Sequence, residues 1–372
     1  MKKNMKRHII VASVNFILLV AFVTCLIISN AITTPLYSQQ AARSWAGQSG
    51  ERFAQLSVFF SDSVTFNEEM RFEIHKALNA ALLVVSMENT EERTMYTDAW
   101  SGDGVVQILG ERGNSVSAPV IAVGGDYFLF HPLNLRSGSY LNPNDIMKDK
   151  ILIDEDLAWR LFGSVHLAGL EVMINNKPFI ISGVISREVD FASTRAHDGT
   201  AGMYMPIETL EALTETTIRV NSYEIVMPDP ITGFAFNTLS AAVNNPGVSI
   251  VENSNRFTLG NYINIIRDFG DRSMRELAVE YPYWENAARF AEDWATLLFV
   301  ISILLLVCPI ICAIVYLIIF ILFDIKHGKN ALSKIIGKHE KRAYEKYRKT
   351  HQDIPDIYNL DDIIEEVKDG EI

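Results

Sequence analysis

The sequence predicts an α+β domain carried between two transmembrane α-helices, and two observations support this fold class. Two uncharged apolar stretches, 9–32 and 294–323, are long enough to cross a bilayer core, which needs about 20 apolar residues in a helix. The segment between them, 33–293, alternates between strand-like and helix-like patterns. We therefore expect two membrane helices with one extracytoplasmic domain between them.

Basic residues outside the apolar stretches predict the orientation of the chain. Lysines and arginines lie in the N-terminal segment, 1–8, and in the tail, 324–372. Positively charged flanks of membrane helices stay in the cytoplasm. Both termini are therefore expected in the cytoplasm, and residues 33–293 on the other side of the cell membrane.

The first apolar stretch has an alternative interpretation as a cleaved signal peptide. Ser29-Asn30-Ala31 resembles a weak cleavage site, and basic residues precede the stretch. However, the apolar core of a signal peptide typically has only ~7–15 residues, fewer than this stretch. The sequence therefore favours a retained membrane anchor.

Charge, cysteines and missing motifs limit the classes of function. The formal net charge of the chain is −12, and such a balance disfavours a nucleic-acid partner. Cys25, Cys308 and Cys312 all lie in the apolar stretches, so a packed core rather than disulfides should hold the domain. Phosphate-loop, His-Glu-x-x-His and Gly-x-Ser-x-Gly motifs are absent from the sequence. We therefore expect a protein that is not an enzyme and that has no cofactor or bound metal.

Local patterns predict the order of elements in the domain. Residues 36–56 are polar and are interpreted as a stalk or as a continuation of the first helix. Helices are predicted at 66–87, 154–162, 207–213, 233–244 and 263–269, and another from Tyr283 into the second apolar stretch. Strands are predicted at 105–109, 116–123, 151–153, 170–174, 179–185, 222–227 and 248–252, with a hairpin turn at Asn175-Asn176-Lys177-Pro178. The β-rich part, 118–215, is predicted to be inserted into a discontinuous α/β lobe.

An ordered series of short motifs runs from Val120 to Leu210. It comprises Gly125-Asp126-Tyr127-Phe128, Leu135-Arg136-Ser137-Gly138, Ala158-Trp159-Arg160-Leu161-Phe162-Gly163, Gly169-Leu170-Glu171-Val172, Phe179-Ile180-Ile181-Ser182-Gly183-Val184 and Tyr204-Met205-Pro206. In order and spacing, this series resembles the periplasmic core domain of MacB-like ABC transporter permeases.

The resemblance implies a two-lobed outer domain between the first and second membrane helices of a permease. It also implies dimerisation, pairing with a cytoplasmic ATPase, and mechanical work on the outer domain without passage of substrate through the membrane. No third or fourth hydrophobic span follows Phe323. We therefore expect a short form with two transmembrane helices, which pairs with another permease subunit.

Two groups of residues are singled out. Structural roles are expected for the family-motif residues Gly138, Leu161, Phe162, Gly163, Gly169, Phe179, Gly183 and Pro206. A contact with a cytoplasmic ATPase or with anionic membrane lipid is expected at Lys326, Lys329, Lys334, Lys338, Lys341 and Arg342.

Two functional hypotheses follow. The first is a non-catalytic membrane subunit of a MacB-like ABC transporter or mechanotransmission complex, whose outer domain is moved by a separate ATPase. The alternative is a membrane-anchored extracytoplasmic binding or sensory module without transport activity.

Overall fold

The computed structural model describes residues 2–89, 94–110, 115–197, 202–270 and 279–350. The last part of the predicted tail, 351–372, lies outside these ranges. The α-helices are α1 Lys2–Thr33, α2 Ala41–Ala46, α3 Glu68–Val84, α4 Tyr127–Phe130, α5 Glu155–Phe162, α6 Ser193–Ala196, α7 Ile207–Thr214, α8 Phe234–Ala242, α9 Leu259–Arg267 and α10 Tyr283–Thr350. The strands are β1 Phe53–Phe60, β2 Thr97–Leu109, β3 Ser115–Gly125, β4 Asn134–Gly138, β5 Lys150–Asp154, β6 Glu171–Ile174, β7 Lys177–Ser186, β8 Met203–Pro206, β9 Val220–Pro228 and β10 Val248–Glu252.

The described strands form one mixed sheet. Its order is β10-β1-β9-β2-β3-β8-β5-β7-β4, and β6 pairs with β2 and β7. The β3–β8 and β5–β7 pairs are parallel, and the other pairs are antiparallel. The predicted β-rich segment, 118–215, shares this sheet with its flanking segments because the long strand β2 pairs with β9 as well as with β3 and β6.

The chain divides into two compact units. One is Val23–Ser302, and the other combines Met1–Phe22 with Ile303–Ile372. Helices are present at both predicted positions, and Lys6–Thr33 of α1 and Tyr283–Ile325 of α10 are long and apolar enough to cross a membrane. In the unit that combines Met1–Phe22 with Ile303–Ile372, His8 Nδ1 lies 2.8 Å from the Tyr316 hydroxyl.

The predicted helix at 154–162 is confirmed, and its ends follow local rules. The Asp154 side chain accepts a hydrogen bond from the backbone N–H of Leu157 at 2.7 Å and so caps the N-terminus of α5. Gly163 ends the helix in the left-handed conformation, with φ of +69°. Leu157 and Leu161 are buried on the inner side of the helix.

The hairpin turn is also confirmed. Asn175 and Asn176 separate β6 from β7 and have positive φ angles of 46° and 62°. Asparagine tolerates this conformation better than most residues, and two consecutive positive φ angles match the twist of antiparallel strands.

The interpretation of 36–56 as a stalk or extended helix is wrong. α1 ends at Thr33, and this segment contains α2 and the start of β1. β1 is buried along its whole length, although it contains Gln55 and Ser57. These polar side chains suggest a solvated segment in the sequence, but both are hydrogen-bonded inside the domain.

The two faces of the sheet carry different cores, because successive residues of a strand point to opposite sides. One face packs Leu56 and Ile225 against Leu78 of α3 and Leu239 of α8 in the larger core. The other face carries a smaller core that includes Val226, together with buried polar side chains. This second face receives the first turn of α10 through Trp284.

Candidate functional site

The candidate site is the place where the domain is joined to α1 and α10, within the unit Val23–Ser302. It begins with a row of buried polar side chains on the second face of the sheet. Ser57 of β1 stands opposite Glu224 of β9 and donates a hydrogen bond to its Oε1 at 3.0 Å. Ser101 of β2 stands opposite Ser222 of β9, and their hydroxyls are 2.7 Å apart. The row therefore consists of paired side chains set by the register of three strands.

His131 extends this row toward α10. Its Nε2 is hydrogen-bonded to Glu224 Oε2, and the two side chains are only 1% and 2% exposed. The His131 ring stacks on Tyr127, with ring centroids 4.4 Å apart, and lies 4.4 Å from the Trp284 ring centroid. A buried histidine–carboxylate pair thus supports the aromatic residue that enters the domain from α10.

Trp284 is buried, although it belongs to an aromatic segment next to the second apolar stretch. Tyr281-Pro282-Tyr283-Trp284 has the composition of a partner site or of a membrane-interface anchor. Trp284 is instead 3% exposed and belongs to the smaller core. Burial of its indole fixes the beginning of α10 in the domain.

A charged network holds the next turns of α10. Arg256 Nη2 donates to both carboxylate oxygens of Glu285, at 2.8 and 2.7 Å, and Arg256 Nε lies 3.3 Å from Glu292. Arg289 Nε donates to Glu285 Oε1 at 2.7 Å, one helical turn further along. Asn261 of α9 donates to Glu292 at 3.1 Å. The network therefore joins α9 and the loop before it to three successive turns of α10.

Arg256 stays charged in this buried position. Burial by itself disfavours a charged guanidinium, but the Glu285 and Glu292 carboxylates raise the pKa of Arg256 above its ordinary value. An ion pair of this kind is costly to break, because removal of one partner leaves an uncompensated buried charge.

The end of α1 is held by hydrogen bonds to buried amide side chains. Gln55 Oε1 accepts from the backbone N–H of Ala41 at 2.8 Å, and Gln55 Nε2 donates to the carbonyl of Ser38 at 2.7 Å. Asn253 Nδ2 donates to Gln39 Oε1 at 2.8 Å. The segment that follows α1 is therefore fixed to β1 and to the turn after β10.

An apolar seam joins the two helices next to the domain. Ile32 of α1 and Leu36, which follows α1, pack with Ala287 and Ala291 of α10 and with Ala192. The small alanine side chains allow the two chain segments to approach closely. Both helices thus leave the domain from one packed site.

Two clefts lie beside this site. The first has a volume of about 540 Å³ and is lined by Asp103, Arg187, Tyr204, Tyr281 and Trp284 among others. The second, of about 580 Å³, borders the charged network at Arg256 and Glu285. Near the first cleft, burial raises the pKa of the Glu188 carboxyl, against the opposing effect of His131.

The family-motif residues lie away from this site, in the turns and core of the region around β4 to β8. Gly138 has a φ of +79° and pairs with Gly183 across β4 and β7. Gly169 also has a positive φ, of 89°. Leu161 and Phe179 are buried, Phe162 packs at the edge of the larger core, and Pro206 ends β8 before α7.

The basic residues of the tail lie on the continuation of α10. Lys338, Lys341 and Arg342 are exposed. Lys326, Lys329 and Lys334 are in the same helix, but their side chains lie outside the described part of the structure.

The residues of the charged network, Arg256, Glu285 and Glu292, were not predicted from the sequence. The spacing of Glu285, Arg289 and Glu292 on one face of an alanine-rich helix before an apolar span was the available signal.

Among the residues that the structure describes, no group of three or more His, Cys, Asp or Glu side chains could hold a metal ion. The buried pairs link chain segments, although Arg256 Nη1 and His131 Nδ1 have no hydrogen-bond partner among the described residues. The arrangement therefore fixes the first turns of α10 to the core domain.

The sequence model of the MacB-like periplasmic core domain matches residues 36–236, more than half of the chain. The chain belongs to this family. It carries the periplasmic core domain of ABC-type transporter permeases, flanked by two helices that could cross a membrane.

Two solved structures are similar to this chain. One is the periplasmic region of MacB from Actinobacillus actinomycetemcomitans, with 15% identity, a TM-score of 0.41, and coverage of 59% of this chain and 94% of that one. The other is the extracellular domain of the noncanonic ABC-type transporter YknZ from Gram-positive bacteria, with 15% identity, a TM-score of 0.37, and coverage of 53% and 99%. No curated protein matches the chain.

Proposed function

We propose that the chain is a non-catalytic membrane subunit of a MacB-like ABC transporter or mechanotransmission complex, whose core domain is moved by a separate cytoplasmic ATPase. The observation that carries this proposal is the continuity of α10. A single helix begins in the buried core at Trp284, includes the candidate span, and continues to Thr350. Because α10 is one helix, its far end is covalently continuous with the domain, although Pro309 removes one backbone hydrogen bond from the helix.

The anchoring of α10 supports this role. Its first turns are held by the Arg256–Glu285 pair and by the packing of Trp284 against His131. Breaking a buried ion pair costs about 3–5 kcal/mol, which exceeds the cost of most local rearrangements at a protein surface. The joint between helix and domain therefore resists bending, and force passes into the sheet.

Orientation and partners complete the proposal. The basic residues at both ends favour cytoplasmic termini, with the core domain on the opposite side of the cell membrane. The exposed residues Lys338, Lys341 and Arg342 are then available to an acidic groove of the ATPase. Another permease subunit, or a second copy of the chain in a homodimer, is expected in the same complex.

Purification of the tagged full-length chain in mild detergent, followed by mass spectrometry, tests this proposal. We expect an ATPase in a stoichiometric amount. Deletion of 326–349 should remove it, whereas deletion of 351–372 should not. A combined Lys338→Glu, Lys341→Glu and Arg342→Glu variant should also lose the ATPase if charge governs the contact. Purification of the intact chain without any ATPase would reject the proposal.

The alternative function, a membrane-anchored binding or sensory module, has one supporting observation. The cleft of about 540 Å³ combines aromatic and charged side chains, as ligand sites commonly do. Saturable binding of a peptide or lipid to the intact protein, with no ATPase in the complex, would favour this function.

A further inference from the structure

The helix α9 has an apolar face that the rest of the described chain leaves uncovered. Leu259, Ile263 and Ile266 are spaced by four and three residues, so they lie on one side of the helix. They are 58%, 54% and 47% exposed, respectively. Ile265, on an adjacent side of the helix, is buried in the domain. The exposed residues therefore form a continuous apolar stripe on a helix that is otherwise anchored.

The contacts of α9 place it beside both candidate membrane helices. The Tyr262 ring packs against the Phe299 ring of α10, with centroids 5.7 Å apart. Tyr262 also lies beside Ser29 of α1. Asn261 donates to Glu292 of α10 at 3.1 Å. These three contacts fix the level of α9 along the two helices.

The position of α9 along α1 and α10 lies just inside the two apolar stretches. Phe299 comes five residues after Trp294, where the second uncharged stretch begins, which is about 7 Å along a helix. Ser29 comes three residues before the end of the first stretch at Ile32, or about 5 Å. Both helices therefore place α9 at a similar depth, measured from the ends of the apolar stretches. This depth matches the ~5–10 Å at which interfacial helices insert into a bilayer.

The polar side of α9 fits the same position. Asn261 binds Glu292, which lies just before the uncharged stretch of α10, and Asn264 is exposed on the side opposite the apolar stripe. An amphipathic helix at a bilayer surface directs its apolar residues to the acyl chains and its polar residues to water and head groups. Polar and apolar sides of α9 are separated in this way.

We propose that α9 is an interfacial membrane helix, whose stripe of Leu259, Ile263 and Ile266 is inserted among the lipid acyl chains of the leaflet next to the core domain. The occupant of this surface is lipid, because the surface continues the apolar surfaces of α1 and α10 at the same depth. The helix would fix the height of the core domain at the membrane. This inference depends on the two membrane spans and not on the presence of an ATPase partner.

Depth-dependent fluorescence quenching tests the inference on the full chain in lipid nanodiscs. Cys25, Cys308 and Cys312 are replaced by alanine, and an environment-sensitive fluorophore is attached to a single cysteine at Ile263→Cys or, as the matched control, Asn264→Cys. Both positions are exposed, so labelling removes no packing contact. A nitroxide on the lipid acyl chain should quench the probe at 263 at least about threefold more than the probe at 264, because only the former faces the acyl chains. Iodide in the aqueous phase should give the reverse order.

Each other outcome overturns the inference. Equal lipid quenching at both positions would mean that α9 does not face the bilayer with this stripe. A probe at 263 that neither quencher reaches would mean that protein, such as a second copy or a partner subunit, covers the face. If the cysteine-free chain does not fold, Ile263→Trp and Asn264→Trp in the native chain, with brominated lipids as quencher, give the same comparison. Loss of ATPase co-purification would leave this result unaffected.

Discussion

Arg256 binds Glu285 through one guanidinium nitrogen that donates to both carboxylate oxygens, at 2.8 and 2.7 Å, with each side chain only 1% exposed. This contact connects the loop after β10 to the first turn of α10. It is a buried polar link between the core domain and the helix that includes the second candidate span.

Replacement of Glu285 by alanine should destabilise the core domain by about 3–5 kcal/mol, because the buried Arg256 charge loses the carboxylate to which it donates two hydrogen bonds. Thermal unfolding of the purified chain, followed by tryptophan fluorescence, measures the effect. Asp268→Ala, which removes an exposed partner of Arg267, is the control and should change the midpoint little. The combined Arg256→Met and Glu285→Leu variant should be more stable than Glu285→Ala. The reverse order would show that the charge is not buried in solution.

Trp284 should be far more sensitive to substitution than an exposed tryptophan of the same domain. Trp284→Ala removes a side chain that is 3% exposed and should cost about 3–5 kcal/mol. Trp159→Ala, at a position that is 54% exposed, should have a small effect. The difference between the two unfolding midpoints is the measurement. Equal shifts would contradict insertion of Trp284 into the core.

Gly138 and Gly163 should respond differently to alanine, although both have positive φ angles. At Gly163 a Cβ atom meets nothing within 4 Å, so only the conformational cost of about 1–2 kcal/mol applies. At Gly138 a Cβ atom would come within 2.0 Å of the Ser182 carbonyl oxygen. Gly138→Ala should therefore also separate β4 from β7.

Amide hydrogen exchange distinguishes the two glycine variants. Gly138→Ala should lose protection in 134–138 and 183–186, whereas Gly163→Ala should keep it. Retained protection in the Gly138→Ala variant would show that the β4–β7 pairing can accommodate a side chain.

Asp98 should make the stability of the domain depend on pH in the acidic range. Burial disfavours its charge, but hydrogen bonds from His75 and Arg71 outweigh burial and lower the pKa of its carboxyl from 3.8 to about 2. Because the folded-state pKa is the lower one, the ionised form stabilises the fold above pH ~4, and this contribution is lost as the pH falls toward 2. This contribution to the free energy of unfolding is about 2 kcal/mol.

Unfolding midpoints at pH 7 and at pH 2.5 measure this dependence. Asp98→Asn should lower stability at pH 7 and reduce the further loss at low pH. Asp62→Asn, at a side chain that is 82% exposed, should keep the acid sensitivity of the native chain. An Asp98→Asn variant with the same acid sensitivity as the native chain would assign the loss to other groups.

Elements with local signals were predictable from the sequence. The helix α5 has a capping aspartate at one end and a glycine at the other, and the β6–β7 turn has two asparagines that tolerate positive φ. β1 was missed because Gln55 and Ser57 suggest a solvated segment, whereas their partners, such as Ser38 and Glu224, are distant in sequence. β4 was missed because it is a short, largely exposed edge strand.

The two apolar helices, the charged flanks and the order of the family motifs were predictable from the sequence, because each depends on residues close together in the chain. Which polar residues meet depends on the tertiary fold. Arg256 and Glu285 are 29 positions apart, His131 and Glu224 are 93 apart, and no periodicity connects either pair. They come together because the sheet places β9 and the loop after β10 beside the start of α10, and burial there makes the pairing of their charges necessary.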